Sequence, residues 1–318
     1  MKREIQLLIN KSEITAGTRG ASLGPEAIMT AARKVNNDFF GRYEIQYLPD
    51  VNHYLDQEIR YPLAKRIAGL LQVFEGVSSA LKTIISEGKF PLLLSGDHGS
   101  AGGTIAGLKA AYPNQRLGVI WIDAHADIHT PYTTPSGNMH GMPLATALGI
   151  DNLEEQVNEP SQEIVELWHR LKNVGVEGKK LDPNDLVYIA VRDTEAQEDA
   201  IIERYNIVNY KVEAVRSEGV EAVIQMSLDH LKDCDILYVS FDVDSMDPAH
   251  TSIGTGTPVG NGIMPEEAEQ MLAMLARERR TVCIEFVEIN PCLDDRQNRM
   301  AEIAFGLLET TVNNLIIE

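Results

Sequence analysis

The sequence predicts an α/β fold, with three layers (αβα) built around a central, mostly parallel β-sheet. Three observations predict it: short runs rich in Val, Ile and Leu, amphipathic helical stripes, and the alternation of the two along the chain. Continuous apolarity within a run indicates a strand that is covered on both faces, as in a parallel sheet. The six runs are residues 5–9, 91–94, 117–122, 186–191, 236–241 and 282–287.

Helical patterns separate these strands. Their apolar residues recur three or four positions apart, which is typical of a helix that buries one face. The predicted helices are residues 63–85 with Gly88 as the terminator, residues 220–231, and a segment that opens with Pro265 and closes with Arg277, Arg279 and Arg280. Since no repeat or Pro/Gly-rich linker divides the chain, we expect residues 1–318 to form a single domain.

Composition limits the partners of this protein. The chain of 318 residues has a formal net charge of -19, which disfavours nucleic acid and anionic membranes because both would be repelled. No apolar run approaches the roughly eighteen residues of a membrane span. The three cysteines lack CxxC spacing, which is typical of reduced thiols. We therefore expect a soluble cytoplasmic protein that binds neither nucleic acid nor membrane.

Acidic and imidazole side chains follow four of the predicted strands. Because ligands bind at the carboxyl edge of parallel sheets, these groups are candidates for one shared site. A single Asp after a strand is most often a helix cap or turn former, but the stretch 123–127 carries three ionisable groups after a buried run. If the strand stays extended there, Asp123, His125 and Asp127 face one side. Their carboxylates would then repel each other unless a cation compensates them.

The candidate ligands predict two divalent cations. Asp123, Asp127, Asp242 and Asp244 carry four negative charges, which two such ions would neutralise, and His98 and His125 add one imidazole nitrogen each. Oxygen-rich ligands without thiolate suit Mn²⁺, with Mg²⁺, Co²⁺, Fe²⁺ and Ni²⁺ as alternatives. Two ions roughly 3.5 Å apart can share a bridging water and ionise it near neutral pH, which favours hydrolysis over redox chemistry.

With these motifs in order, the chain resembles the ureohydrolase family, and within it the arginases. The resemblance rests on residues 17–21 (GTRGA), 95–98 (SGDH), 123–127 (DAHAD), 240–244 (SFDVD), 256–258 (GTP) and 288–291 (EINP). The segment 136–141 (SGNMHG) favours arginases over agmatinase-like members. The resemblance implies an αβα fold, a guanidino substrate, two Mn²⁺ ions, and a homo-oligomer, either a trimer or a hexamer.

The resemblance also implies a role for each matching position. One Mn²⁺ would be held by His98, Asp123, Asp127 and Asp242, and the other by Asp123, His125, Asp242 and Asp244. Asp127 would steer the bridging hydroxide and pass its proton to the leaving amine, while His140 would act as a proton shuttle. Glu288 would pair with the guanidinium, and Thr257 matches a threonine near that group.

Two positions depart from the arginase pattern at the amino-acid end of the substrate. The usual asparagine that contacts the α-carboxylate is His129 here, and the usual aspartate that holds the α-amino group is Glu195. Ser136 and Asn138 keep the usual residue types. His129 can still donate a hydrogen bond and Glu195 can still accept one, so we expect these four residues to bind the substrate.

Three functions follow from the sequence. The leading prediction is hydrolysis of L-arginine to L-ornithine and urea by the metal-bridging hydroxide. The second is another ureohydrolase reaction, on agmatine, a guanidino acid or formiminoglutamate. The third is a non-catalytic regulatory relative, which the presence of all six candidate metal ligands disfavours.

Overall fold

Eight parallel strands form the centre of the molecule in the computed structural model, which describes residues 4–315. The sequence predicts a single domain over residues 1–318, and residues 1–3 and 316–318 of this range lie outside the described residues. The strands are β1 (Ile5–Asn10), β2 (Glu44–Tyr47), β3 (Phe90–Ser95), β4 (Leu117–Ile122), β5 (Leu186–Ile189), β6 (Val208–Tyr210), β7 (Ile236–Asp242) and β8 (Thr281–Val287). Their order in the sheet is β2-β1-β3-β8-β7-β4-β5-β6.

Helices cover both faces of the sheet. Along β1, Leu7 and Ile9 enter one hydrophobic core while Leu8 enters the other, as the alternation of a strand requires. Within residues 4–315, five helices pack on each core, so the predicted three layers are confirmed. In chain order they are α1 (Gly24–Lys34), α2 (Ile67–Ser86), α3 (Ala101–Ala111), α4 (Pro143–Leu148), α5 (Gln162–Lys172), α6 (Ala196–Tyr205), α7 (Val212–Glu218), α8 (Val220–His230), α9 (Pro265–Arg277) and α10 (Arg299–Asn314).

The six predicted strands are confirmed, each to within two residues at its ends. Two strands, β2 and β6, were not predicted. They lie at the two edges of the sheet and consist of partly or fully exposed residues, so they lack the continuous apolar run that marks the central strands. None of the helices in the described part of the chain has the length and apolar character needed to cross a membrane.

Two predicted helix ends were wrong. The helix predicted from Leu63 begins at Ile67, because Arg66 has a φ of 60°, in the left-handed region that helices exclude. The third predicted helix ends at Arg277, and Arg280 lies beyond it. The Arg280 guanidinium donates to the carbonyl of Leu231 at 2.6 Å and so satisfies the end of α8.

Candidate metal centre and substrate pocket

The candidate metal ligands come together after three strands that lie close together in the sheet. His98 follows β3, the stretch from Asp123 to Asp127 follows β4, and Asp242 ends β7. The assumption that the chain stays extended after β4 was wrong. β4 ends at Ile122, and Asp127 has a φ of 51°, so a turn brings its carboxylate back towards His98.

A first cluster surrounds the imidazole of His98. Its Nδ1 lies 3.0 Å from Asp123 Oδ2, 3.1 Å from Asp127 Oδ2 and 3.1 Å from Asp242 Oδ2. Two further contacts hold the imidazole ring of His98, one at its other nitrogen and one on a face of the ring. Nε2 lies 2.7 Å from Ser240 Oγ, and the ring stacks on Trp121 with the centroids 4.1 Å apart.

A second cluster lies beside the first and shares Asp123 with it. His125 Nδ1 lies 3.1 Å from Asp244 Oδ2 and 3.5 Å from Asp123 Oδ1. Backbone amides orient these carboxylates: His125 N donates to Asp123 Oδ1 at 2.7 Å, and Asp244 N donates to Asp242 Oδ1 at 2.8 Å. Thr257 Oγ1 donates to Asp244 Oδ2 at 3.2 Å.

Burial makes this concentration of charge costly. Burial and the negative charge of Asp123 raise the pKa of Asp127 to about 6. Burial, together with Asp244 and Asp123, raises the pKa of Asp242 well above its usual range. For Asp123, contacts with His125 and His98 outweigh burial and lower the pKa. Carboxylates in this position need positive charge nearby.

The residues fit divalent cations. His98 Nδ1 is buried and forms no hydrogen bond of acceptable geometry, although three carboxylate oxygens lie within 3.1 Å of it. One nitrogen with several oxygens at this spacing is a donor set typical of Mn²⁺ and related ions. Two groups of ligand atoms in these clusters are compact enough to hold an ion: His98 with Asp123 and Asp127, and His125 with Asp123 and Asp244.

Glu288 and His140 lie next to the metal clusters. Glu288 follows β8, has a φ of 64°, and accepts a hydrogen bond from the backbone N of His98 at 2.8 Å. Burial and the neighbouring Asp97 raise the pKa of Glu288 to about 8. His140 Nδ1 lies 3.9 Å from Glu288 Oε1, and burial lowers the pKa of this histidine to about 4. The lowered pKa favours the neutral imidazole.

The two residues that depart from the arginase pattern contact each other. His129 Nε2 lies 2.9 Å from Glu195 Oε2 and 3.6 Å from Glu198 Oε2. The side chain of Glu198 is buried, whereas that of Glu195 is half exposed. Burial and the carboxylate of Glu195 raise the pKa of Glu198 well above its usual range. We call His129, Glu195 and Glu198 the rim cluster.

The loop that carries Ser136 and Asn138 is held by the segment that precedes α2. Lys65 Nζ donates to Asn138 Oδ1 at 3.1 Å, and the backbone N of Lys65 donates to Gly137 O at 2.8 Å. Gly137 has a φ of 75°, and a Cβ at this position would lie 1.8 Å from Pro62 O. Only glycine fits here, so the loop is docked tightly against this segment.

A cavity of about 220 Å³ joins all of these groups. Every residue predicted for the site lines it except Asp123, which lies behind the other ligands. The predicted residues that line the cavity are His98, His125, Asp127, His129, Ser136, Asn138, His140, Glu195, Asp242, Asp244, Thr257 and Glu288.

Sequence reasoning missed several residues of this region, among them Glu198, Lys65 and Arg192. Glu198 lines the cavity, and its place one turn after Glu195 on the start of α6 was the available signal. Lys65 could not be identified from the sequence, because a lysine before a helix is common on protein surfaces. Arg192 donates to the carbonyls of Asp244 and Val259 at 3.0 and 2.8 Å, and it thus holds the loop that carries Asp244.

The N-terminal glycine motif packs against the Glu288 loop. Asn290 Nδ2 donates to Arg19 O at 2.9 Å, and a Cβ on Gly24 would lie 2.4 Å from Ile289 O. Thr15 contributes as well, since its backbone N donates to Asp97 Oδ2 at 2.8 Å. Residues far apart in the chain thus support one side of the cavity.

Known proteins share both the sequence and this architecture. The model of the arginase family matches residues 7–312. An arginase of Bacillus caldovelox is 34% identical over 294 residues, 91% of each chain. The crystal structure of an arginase from Bacillus subtilis superposes with a TM-score of 0.80 at 32% identity, covering 99% of this chain and 100% of that one. A formimidoylglutamase of Bacillus subtilis, at 18% identity, a TM-score of 0.72 and coverage of 99% and 87%, shares the fold alone.

The family model spans nearly the whole chain, and the clusters around His98 and His125 lie within the matched range. The match to the Bacillus caldovelox arginase likewise covers 91% of each chain. The chain therefore belongs to the arginase family.

Proposed function

We propose that this protein hydrolyses L-arginine to L-ornithine and urea, with two Mn²⁺ ions bound by six side chains. One observation carries the proposal: two histidine–carboxylate clusters share Asp123 and open into the same cavity as Glu288. Asp242 is the second bridging candidate, because it lies 3.1 Å from His98 Nδ1 and accepts from the backbone of Asp244. The ligands would be His98, Asp123, His125, Asp127, Asp242 and Asp244.

The chemistry that two such cations supply, when bound, is the ionisation of water to hydroxide near neutral pH. Glu288 would receive the guanidinium, since its carboxylate is buried and a cation beside it favours the ionised form. Asp127 would accept the proton of the attacking water and deliver it to the departing amine as the C–N bond breaks. The side chain of His140 is partly exposed and lies 3.9 Å from Glu288, a position from which it could exchange protons with solvent.

The amino-acid end of arginine would lie at the mouth of the cavity. Asn138 can donate to the α-carboxylate from its amide nitrogen, because its Oδ1 is already bonded to Lys65. Ser136 lies on the same loop and lines the cavity. Glu195 would accept from the α-ammonium, and His129 would remain its partner.

Release of urea tests the proposal. The purified protein, loaded with Mn²⁺, should produce urea and ornithine from L-arginine in equal amounts. Asp127→Asn should abolish the activity, because the group that moves the proton is lost. A metal-loaded protein that releases no urea from arginine would contradict the assignment.

One observation favours a second candidate, another ureohydrolase reaction. His129 and Glu195 bond to each other at 2.9 Å, so they compete with the amino and carboxylate groups that an amino-acid substrate offers. A panel of arginine, agmatine, a guanidino acid and formiminoglutamate separates the candidates. An arginase should lose most activity on agmatine, which lacks the α-carboxylate. A non-catalytic role would leave every member of the panel unchanged.

We further propose that the chain forms one domain over residues 1–318 and assembles into a cytoplasmic trimer or hexamer. The sequence resemblance to arginases supports the assembly. The acidic composition is compatible with a cytoplasmic enzyme that binds no nucleic acid. Light scattering coupled to gel filtration tests the oligomer, and metal analysis of the purified protein tests Mn²⁺.

A further inference from the structure

We propose that the rim cluster of His129, Glu195 and Glu198 is a third divalent-cation site, and that Zn²⁺ bound there obstructs the cavity. One ligand atom from each of these residues lies within 4.8 Å of the others, the same compactness as in the two catalytic clusters. The site is distinct from those clusters, because it shares no residue with them.

The spacing within the rim cluster suits a metal ion. Two ligands of tetrahedral zinc, each at about 2.0–2.1 Å from the ion, lie roughly 3.3 Å apart. His129 Nε2 lies 2.9 Å from Glu195 Oε2 and 3.6 Å from Glu198 Oε2, which brackets this value. The corresponding nitrogen–oxygen distances around His98 and His125 are 3.0–3.5 Å. The rim therefore resembles the metal clusters of the same molecule in size.

The imidazole is oriented as a metal ligand would be. His129 Nδ1 lies 3.1 Å from the hydroxyl of Thr133, which is buried and accepts from the backbone N of Thr130 at 3.0 Å. In the tautomer with Nδ1–H donating to this hydroxyl, the Nε2 lone pair is available to an ion that lies between it and the two carboxylates. In nearly all metal-binding histidines, the ring nitrogen that does not bind the metal donates a hydrogen bond, which sets the tautomer and the ring plane.

The charges of the cluster also call for a cation. Among residues 4–315, the imidazole of His129 is the one basic side chain that forms an ion pair with Glu195 and Glu198, so two carboxylates share one such partner. Glu198 is 3% exposed, which leaves little water to screen it. Its hydrogen bonds come from the backbone N of Ile128 and of Glu195, both at 3.2 Å, and each carboxylate keeps lone pairs for an ion.

The position of the cluster in the cavity means that a bound ion would interfere with substrate binding. The three residues line the same cavity as the catalytic clusters, at the end assigned to the amino acid. An ion there would occupy the carboxylate that the α-ammonium needs, so arginine and Zn²⁺ would compete. This inhibitory part rests on the proposed function, whereas the binding of a third ion does not.

Counting ions tests the site without any substrate. The protein is loaded with two equivalents of Mn²⁺, freed of excess metal, and dialysed against micromolar Zn²⁺, after which both metals are measured per chain. We expect a total of three ions for the wild type and two for His129→Asn, with the exposed His169→Asn as the matched control that keeps three. Glu195→Gln, at a half-exposed position, should also bind two.

A total of two ions in the wild type would overturn the proposal, because Zn²⁺ would then be absent or would only have replaced Mn²⁺. Three ions in both His129→Asn and Glu195→Gln would overturn it as well. In urea assays below saturation, Zn²⁺ should inhibit the wild type at least about tenfold more strongly than either variant, each measured against its own zinc-free rate. Equal inhibition of all three proteins would disprove the obstruction. A protein without arginase activity that still binds three ions would refute the proposed function and leave this site standing.

Discussion

The two ends of the cavity are built differently. At the inner end, His98, Asp123 and Asp242 are almost fully buried, and backbone amides or the Trp121 ring hold them in place. At the mouth, Glu195 is half exposed and pairs with His129, another side chain of the same cavity. The inner end is thus held rigidly by buried contacts, while the mouth holds a partly exposed pair of side chains that a ligand can also contact. Under the proposed function, the reaction type would depend on the inner end and the substrate choice on the mouth.

Removing the shared carboxylate should have the largest effect. Asp123→Asn should lower kcat for urea release by at least about a thousandfold, because Asp123 belongs to both metal clusters. Steady-state kinetics with metal analysis measures this, and the exposed Asp38→Asn serves as the control. A variant that keeps its metal and its rate would show that the inner end is not the reaction centre.

The substitution Glu288→Gln should have the second largest effect on activity. The amide has nearly the same shape but carries no charge to pair with a guanidinium, so kcat/KM for arginine should fall about a hundredfold. Metal content should stay the same, because Glu288 contacts the backbone of His98 and not its ring. Loss of metal in this variant would show instead that Glu288 helps to hold the metal ligands in position.

At the mouth, Glu195→Gln should act on binding more than on the chemical step. We expect KM for arginine to rise about tenfold with a smaller change in kcat, since a charged hydrogen bond to the α-ammonium is weakened. Glu195→Asp is the matched control that keeps the charge. If both variants lower kcat and leave KM unchanged, the difference between the two ends of the cavity is not functional.

The smallest expected effect is that of Lys65→Met. Without the hydrogen bond to Asn138 Oδ1, the amide can rotate away from the cavity, so KM for arginine should rise about threefold. Agmatine, which has no α-carboxylate, should be unaffected. Lys65→Arg should restore part of the loss. An equal change for both substrates would mean that Lys65 supports the loop without influencing carboxylate binding.

The central strands could be predicted because they are buried on both faces, which leaves an uninterrupted apolar run such as that of β4. The edge strands β2 and β6 could not, since half-exposed residues carry no such pattern. The candidate ligands were located by their place after strands. Their convergence at the carboxyl edge of the sheet follows from the strand order, as predicted. The position of Asp127 was predicted for the wrong reason, because a turn with a positive φ at this residue sets it and no pattern of side chains indicates such a turn.

Contacts between distant parts of the chain lay beyond sequence reasoning. The bond between His129 and Glu195 joins positions 66 residues apart, and that between Lys65 and Asn138 joins positions 73 apart. Taken singly, each of these polar residues is of a type common on protein surfaces. Whether two of them meet depends on how the loops pack, which cannot be inferred from the order of the residues.

The contact between Gly24 and the Ile289 carbonyl has a consequence for biosynthesis. The loop of Glu288 leaves the ribosome long after the N-terminal glycines that it must meet, and after every other wall of the cavity. A nascent chain can form β1, β3 and α2 early, but this wall closes only when synthesis is nearly complete. Contacts of such long sequence separation also slow folding, so we expect newly made chains to remain inactive until their last tenth has emerged.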